Sequence, residues 1–513
     1  MRSLAARVSL IVIVAAICVG CRHTEGQCTR EALAGGKVSS EVKALVEEID
    51  AGAVQGDPCN LGAERGSDSR WTILFRPGVL HCSRAGDCTV PRIGNIDIEV
   101  KSSEPRLDVA NVLLTPNRIG PLLADDRVRY IAPTCAGYTK NSAPKALSDA
   151  APDEAGSPTI KGDSPMLQDP EQHCEPRDTN KQWNVEDACI PPATQEDRVS
   201  SIVAVVDSGL DCLDPAIHER IDGGKEPLPP RHCTGDSGKN YLYPDLPPDH
   251  CGNAEDPACS RHGTQVAAIV ASNKPDLPGV DPSVHLLSMR ILEADDDLVK
   301  PSTTLATAIL ESGGKQRRII NISANWYVNF PWIAAAVDAV TADGEHLVVA
   351  SARRSKGEIA YPAAYTTCSD AVIGVSGIGR SIDEAADSTV AQWVRYGFGR
   401  ESDRDPAYLV APGVEISLLG GTADGGGPRE NGSSFAAPLV SGVASLIWSS
   451  KEFESCSAAG VREALECSAR ITIVGKGYPR KRLHVGCLFG QRDLPICRGA
   501  RRCIESAKKQ YCE

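Results

Sequence analysis

Four short runs set the hydrophobic pattern of this chain. SIVAVV (201–206), RIINIS (318–323), HLVVAS (346–351) and AVIGVS (371–376) are apolar and rich in β-branched residues, without polar alternation. Strands buried on both faces read this way, so the pattern predicts an α/β fold whose parallel sheet is covered by helices on both faces. Small-residue helical stretches lie between and after these runs, notably GTQVAAIVAS (263–272) and the segment following Gly432. An earlier region is patterned differently. VSSEVKALVEEIDAG (38–52) has the spacing of a short amphipathic helix, WTILFRPGV (71–79) reads as a strand, and RIGNIDIEV (92–100) alternates like another, with LLADDRVRYIAP (122–133) behind it. Together these describe a small α+β unit. Residues 136–180 carry Pro144, Pro152, Pro158, Pro165, Pro170 and Pro176 among Ser, Asp and Glu. That composition cannot bury enough apolar surface to offset ordering and predicts a mobile linker, the kind of segment where proteolysis concentrates. The boundaries read from these shifts are a signal at 1–20, a first unit at 21–135, the linker at 136–180, a large domain at 181–490 and a Cys-rich tail at 491–513.

The chain has 513 residues, 42% of them hydrophobic and 24% charged, ordinary values for a globular protein. Its net charge of −13 argues against nucleic acid or an anionic membrane surface as the main partner.

Arg2 and Arg7 precede an apolar run, VSLIVIVAAICVG (8–20), the charged and hydrophobic parts of an export signal. The run is too short for a confident membrane span. It ends Val19-Gly20-Cys21, which resembles a bacterial lipoprotein signal with Cys21 as the lipidated residue, although Cys18 stands where Leu is usual. The expected location is therefore outside the cytoplasm, in a bacterial cell envelope as a lipoprotein or else secreted, with membrane contact only through the lipid anchor. Setting aside Cys18 and Cys21 leaves 18 of the 20 cysteines, an even number that in an exported chain reads as disulfides. No remaining pair has C-x-x-C spacing, which disfavours a zinc ribbon.

Three segments carry chemistry. IVAVVDSGLD (202–211) offers Asp207, RHGTQVAAIVAS (261–272) offers His262, and NGSSFAAPLVSGVASLI (431–447) offers Ser434. A hydroxyl nucleophile needs a base to take its proton and a carboxylate to hold that base in the right tautomer. The chain order Asp, His, Ser and the local motifs resemble those of subtilisin-like serine peptidases; other triad enzymes order the same parts differently. The family's D-S-G-x-D covers Asp207 to Asp211, its H-G-T-x-V-A starts at His262, and its G-T-S-x-A-x-P covers Gly432 to Pro438, with Ser433 for Thr and Phe435 for Met. Pro438 is expected in the first turn of the helix that follows. PGVDPSVHLLSMRIL (278–292), YPAAY (361–365) and VAPGVEI (410–416) match further recurrent stretches, so the likeness spans about 300 residues. WTILFRPGV and LADDRVRYIAP look like the two ends of the pro-regions that precede such domains, and QWNV (182–185) like the start of a mature enzyme.

The resemblance implies an exported endopeptidase acting on protein or peptide substrates through an acyl-enzyme. Ser434 would be the nucleophile, His262 the base and Asp207 its orienting carboxylate, with the chain's own pro-region as intramolecular inhibitor. His218, His250 and His285 have no such surroundings and read as surface or loop residues.

Departures from the family pattern fall at the oxyanion and substrate positions. LVVASARR (347–354) puts Arg353 and Arg354 where Gly and the oxyanion Asn are usual. Arg354 donates in its place, or Asn325 does, or catalysis is lost and a pseudo-peptidase that binds extended peptides remains. NISANW (321–326) puts Asn325 and Trp326 where two glycines are usual, beside Ser323, and side chains there would narrow the substrate groove. Arg354, Asn325 and Ser323 are thus the oxyanion and substrate-binding candidates. The interval from Asp207 to His262 holds Cys212, Cys233, Cys251 and Cys259, whose disulfides are expected to pin a loop beside the site. No cofactor is required. Calcium is common in the family and the loop carries Asp236, Asp245 and Asp249, but no ligand set is identified.

Overall fold

The computed structural model describes residues 26–34, 36, 69–83, 88–114, 118–134, 185, 188–191, 201–212, 214–221, 238–242, 261–292, 302–326, 328–352, 354–355, 358–378, 409–414, 416–419, 429–474, 478–489 and 497–512. The expected helix at 38–52, the linker at 136–180, Cys21 and Arg353, and the loop carboxylates Asp236, Asp245 and Asp249, lie outside the described residues.

The first described element is a short helix, α1 (Gln27–Leu33). A four-stranded antiparallel sheet follows, built from β1 (Ser69–Phe75), β2 (Glu99–Glu104), β3 (Val109–Leu114) and β4 (Val128–Pro133) in the order β2–β3–β1–β4, with α2 (Ile119–Ala124) leading into β4. The two segments that frame the pro-region likeness are neighbours here, Ile73 opposite Ile131. The strand expected over 92–100 begins only at Glu99. Gly94 has φ +56°, and Ile93 and Ile96 bond to each other across the turn, both buried. A turn that sends two isoleucines inward imitates alternation.

The large domain runs β5 (Ile202–Asp207), β6 (Gly238–Asn240), α3 (His262–Ala271), β7 (His285–Arg290), α4 (Ser302–Ser312), β8 (Arg318–Ile322), α5 (Pro331–Thr341), β9 (His346–Ser351), β10 (Val372–Ile378), β11 (Leu409–Pro412), α6 (Ser433–Trp448), α7 (Ala458–Ser468), β12 (Arg470–Val474), β13 (Tyr478–Arg482) and α8 (Arg498–Tyr511). One sheet takes up the nine strands named here in the order β12–β13–β11–β10–β9–β8–β5–β7–β6. Eight are parallel, and β12 alone runs antiparallel, against β13. The expected parallel sheet covered by helices is present. All four apolar runs are strands, displaced by one or two residues at most.

Successive side chains on a strand face opposite ways. Along β5, Val203 and Val205 enter one core with α3 and α6, while Ala204 and Val206 enter the other with α4 and α5. The second core also takes the N-terminal sheet, through Trp71, Ile73 and Tyr130, with Tyr130 edge-on to Trp332 of α5 at 5.6 Å. Helix α1 lies against α5, and Cys28 is bonded to Cys368.

The tail expected as a disulfide-tied extension is tied, and it is also helical. Cys487–Cys497, Cys467–Cys503 and Cys456–Cys512 fasten α8 to α7 and its surroundings. Of the histidines expected at the surface or in loops, His285 opens β7 and His218 opens a short helix, His218–Ile221, and both are half-buried.

Candidate active site

The chain passes from β7 on one side of β5 to β8 on the other. Parallel sheets bind ligands where the strand order reverses in this way, in the crevice beyond the strands' carboxyl ends. Asp207 is the last residue of β5 and Ser323 follows the last residue of β8, so both stand at that crevice.

Asp207 is fully buried. Its Oδ1 accepts from the Ser208 amide at 2.7 Å and from Nδ1 of His262 at 2.8 Å. A buried carboxylate on Nδ1 fixes the tautomer and leaves Nε2 to accept a proton. His262 begins α3, and close approach of that helix depends on Gly263: a Cβ there would stand 2.3 Å from the Gly209 carbonyl oxygen and 3.2 Å from the Asp207 Cβ. The Gly263 amide donates to Ser208 Oγ at 3.0 Å, and the Thr264 hydroxyl accepts from the Asp211 amide at 2.8 Å. The Asp211 carboxylate lies 3.9 Å from the Arg261 guanidinium. Burial by itself would depress the His262 pKa, but the Asp207 charge and hydrogen bond outweigh it, with Glu430 adding to them, and the imidazole titrates above its ordinary value.

Ser434 is the second residue of α6. Its neighbour Phe435 holds its ring 5.3 Å from the His262 imidazole, which brings the start of α6 beside α3. The sheet side is equally tight. The Gly432 amide donates to the Gly413 carbonyl at 2.7 Å, and a Cβ on Gly413 would fall 2.8 Å from Gly377 Cα and from the Gly432 oxygen. Pro438 is not in the first turn of α6. It is the sixth residue, inside the helix, where its missing N–H leaves the carbonyl of Ser434 without its intrahelical donor.

Ser323 supplies that donor: its Oγ–H bonds the Ser434 carbonyl at 2.9 Å. Asn321 Nδ2 donates to Ser323 Oγ at 3.1 Å, and Ser441 Oγ donates to Asn321 Oδ1 at 2.9 Å, closing a buried chain between β8 and α6. Ser323 was expected among the oxyanion and substrate-binding residues; its hydroxyl holds the serine helix. Asn321 and Ser441 lie within NISANW and NGSSFAAPLVSGVASLI, but their types assign them no role there, and the helical offset of Pro438 from Ser434 is the signal that points to an orphaned carbonyl.

Asn325 lies just beyond, its Oδ1 accepting from Ser351 Oγ at 3.3 Å. Trp326 does not narrow a groove. It is 1% exposed, turned into the core, and its backbone exchanges both hydrogen bonds with Tyr361. The main chain of Arg354 enters a small hairpin, Arg354–Ser355 with Glu358–Ile359, directly after β9. Elsewhere Glu463, Cys467 and Cys503 converge, but the two sulfurs are bonded to each other and offer no thiolate to a metal. Among the described residues, no helix is long and apolar enough to cross a membrane.

Known proteins resemble this chain in sequence and in fold. Subtilisin NAT from Bacillus subtilis subsp. natto is 28% identical over 286 residues, 54% of this chain and 61% of that protein. The major intracellular serine protease of Bacillus subtilis (strain 168) is 28% identical over 258 residues, 49% of this chain and 69% of that protein. The chain thus spans about three fifths of the length of the first curated relative. Among solved structures, the epidermin leader peptide processing serine protease from Staphylococcus aureus superposes with a TM-score of 0.51 at 16% identity, over 82% of this chain and 97% of that one, a likeness of fold. The model of the subtilase family, Peptidase S8, matches residues 200–490, more than half of the sequence and the whole sheet with its crevice, and the chain belongs to that family.

Proposed function

We propose that the protein is an exported serine endopeptidase that hydrolyses peptide bonds with Asp207, His262 and Ser434. The observation that carries this reading is the 2.8 Å bond from His262 Nδ1 to the buried Asp207, at the sheet's switch point and beside the start of α6. Ser434 Oγ attacks the substrate carbonyl carbon while its proton passes to His262 Nε2, and the carbonyl π electrons move onto oxygen. The resulting imidazolium is stabilised by Asp207. His262 then returns the proton to the leaving amine, giving an acyl-enzyme that water hydrolyses by the same steps in reverse roles. The N-terminus of α6 directs backbone N–H groups and positive dipole toward the oxyanion, with the Ser434 amide as one donor. No cofactor enters these steps.

Residues 26–134 act in this reading as pro-region, occluding the site until the chain is cut in the Pro-rich stretch 136–180. Cys21 carries lipid and holds the protein at a bacterial envelope. The alternative, a peptide-binding pseudo-peptidase, is favoured by one observation: Arg354 stands where the family's oxyanion Asn is usual, a donor worth roughly 10²–10³ in rate in subtilisin itself.

A fluorophosphonate probe separates the two. Labelling of the processed protein that disappears in Ser434→Ala supports the peptidase. Absence of labelling once residues 26–134 have been removed overturns it and leaves peptide binding.

A further inference from the structure

Five disulfides join described residues, and four of them are confined to one side of the 135–200 interval. Cys82–Cys88 lies before it; Cys456–Cys512, Cys467–Cys503 and Cys487–Cys497 lie after it. Cys28–Cys368 crosses it, joining positions 340 residues apart.

This bridge sits in a prepared seat. Cys28 is fully buried. The Thr29 amide and hydroxyl donate to Asp338 Oδ2 at 2.8 and 2.6 Å, and the Cys28 amide to Oδ1 at 3.4 Å, so a carboxylate from α5 satisfies the free N–H groups at the start of α1. Gly26 passes so close that a Cβ would lie 2.1 Å from the Asp338 carboxyl carbon. Further along, the N-terminal sheet is docked by polar contacts. Arg106 pairs with Glu104 and, at 3.4 Å, with Glu311 of α4, which also takes Lys239 and the Tyr241 hydroxyl. Asn111 donates to Thr303 at 3.0 Å.

We infer that Cys28–Cys368 keeps residues 26–134 covalently attached after the chain is cut between Thr134 and Ser201, so that processing yields a disulfide-linked two-chain protein. Its regulatory meaning rests on the pro-region reading above; the tether itself does not. A tethered partner rebinds at an effective concentration of about millimolar, so an inhibitory surface with micromolar affinity stays about 99.9% bound after the cut. One cleavage then does not free the site. Release takes a second cut, between Gly36 and Ser69, which leaves α1 behind as a permanent strap. The other route is reduction, in which a dithiol gives two electrons and two protons to the bridge and is itself oxidised to a disulfide.

The test uses the full exported chain carrying Ser434→Ala and a site for a sequence-specific protease inserted after Ala151, so that neither cutting nor tethering depends on the protein's own activity. The cut protein is treated with N-ethylmaleimide and denatured. Without reductant, one species containing both pieces is expected; with dithiothreitol, two. In Cys28→Ser in the same background, the linked Cys28–Cys368 peptide mass is expected to be lost. Should that variant not fold, a non-reduced peptide map of the parent must contain the Cys28 and Cys368 peptides as one linked mass. Separation of the parent's pieces without reductant overturns the inference, as does a peptide map that pairs Cys28 with another cysteine. Failure of fluorophosphonate labelling would strike the catalytic reading and leave this result untouched.

Discussion

The hydroxyl of Ser323 occupies the hydrogen-bonding position that Pro438 vacates on the carbonyl of Ser434, at 2.9 Å. The helix that carries the proposed nucleophile is thereby fastened to the sheet at the residue where its own ladder is interrupted. Ser323→Ala strands a partly buried carbonyl at a cost of about 1–3 kcal/mol. It is expected to lower Tm and slow probe labelling at Ser434. Pro438→Ala restores an N–H one turn below, so the double variant should recover much of the loss. Strict additivity in the cycle would show that the two groups do not serve the same carbonyl.

The pH profile of turnover should report His262. Catalysis needs the neutral imidazole, and the charge of Asp207 holds its pKa above 6.5 despite burial. Activity should therefore rise with pH through an apparent pKa above 6.5, and Asp207→Asn should move that limb to lower pH while reducing kcat by about 10⁴. The same shift contributes stability that is present below pH 6.5 and lost as pH rises through the folded value. An acid limb that stays in place in Asp207→Asn would remove Asp207 from its proposed role.

Gly263→Ala places a methyl against the Gly209 carbonyl and beside Asp207. Backbone has to move, and the Asp–His distance moves with it. A fall in kcat of at least about 10-fold is expected, given the sensitivity of such sites to displacements near 1 Å. Unchanged kcat with an unchanged crystal distance would show that α3 has slack that its packing does not suggest.

His484 gives stability a separate acid limit. It is 2% exposed, and burial, with Arg470 and Arg482 adding to it, pushes its pKa down to about 3. The folded state thus prefers the neutral ring. Its contribution is complete above pH 6.5 and is lost as pH falls from 6.5 toward 3. In His484→Leu, which keeps the volume without the titration, Tm should fall less between pH 7 and pH 4, measured by calorimetry. An identical decline would assign the acid sensitivity elsewhere.

The strands of the main sheet and the Asp207–His262 pair were legible because each is local. A run of β-branched residues is its own evidence, and D-S-G-x-D or H-G-T-x-V-A completes its turn within one segment. Contacts made between distant segments were not legible. Asp338 capping α1, or Ser323 serving the Ser434 carbonyl, exist only once the chain has folded. Helix α8 was missed for a different reason: Ala500, Ile504, Ala507 and Tyr511 do recur at helical spacing, but the cysteines and basic residues between them make the segment read as a tied tail. At 92–100 the period misled, because a turn can send Ile93 and Ile96 inward as a strand would.

The three bridges around α8 have one more consequence. On the proposed peptidase reading, copies of this chain can cut one another, and a nicked chain normally sheds the piece beyond the nick. Here a break anywhere from Ser457 to Tyr511 leaves both flanks joined through Cys456–Cys512, with Cys467–Cys503 and Cys487–Cys497 holding the shorter intervals inside it. Damage at that end is contained rather than propagated.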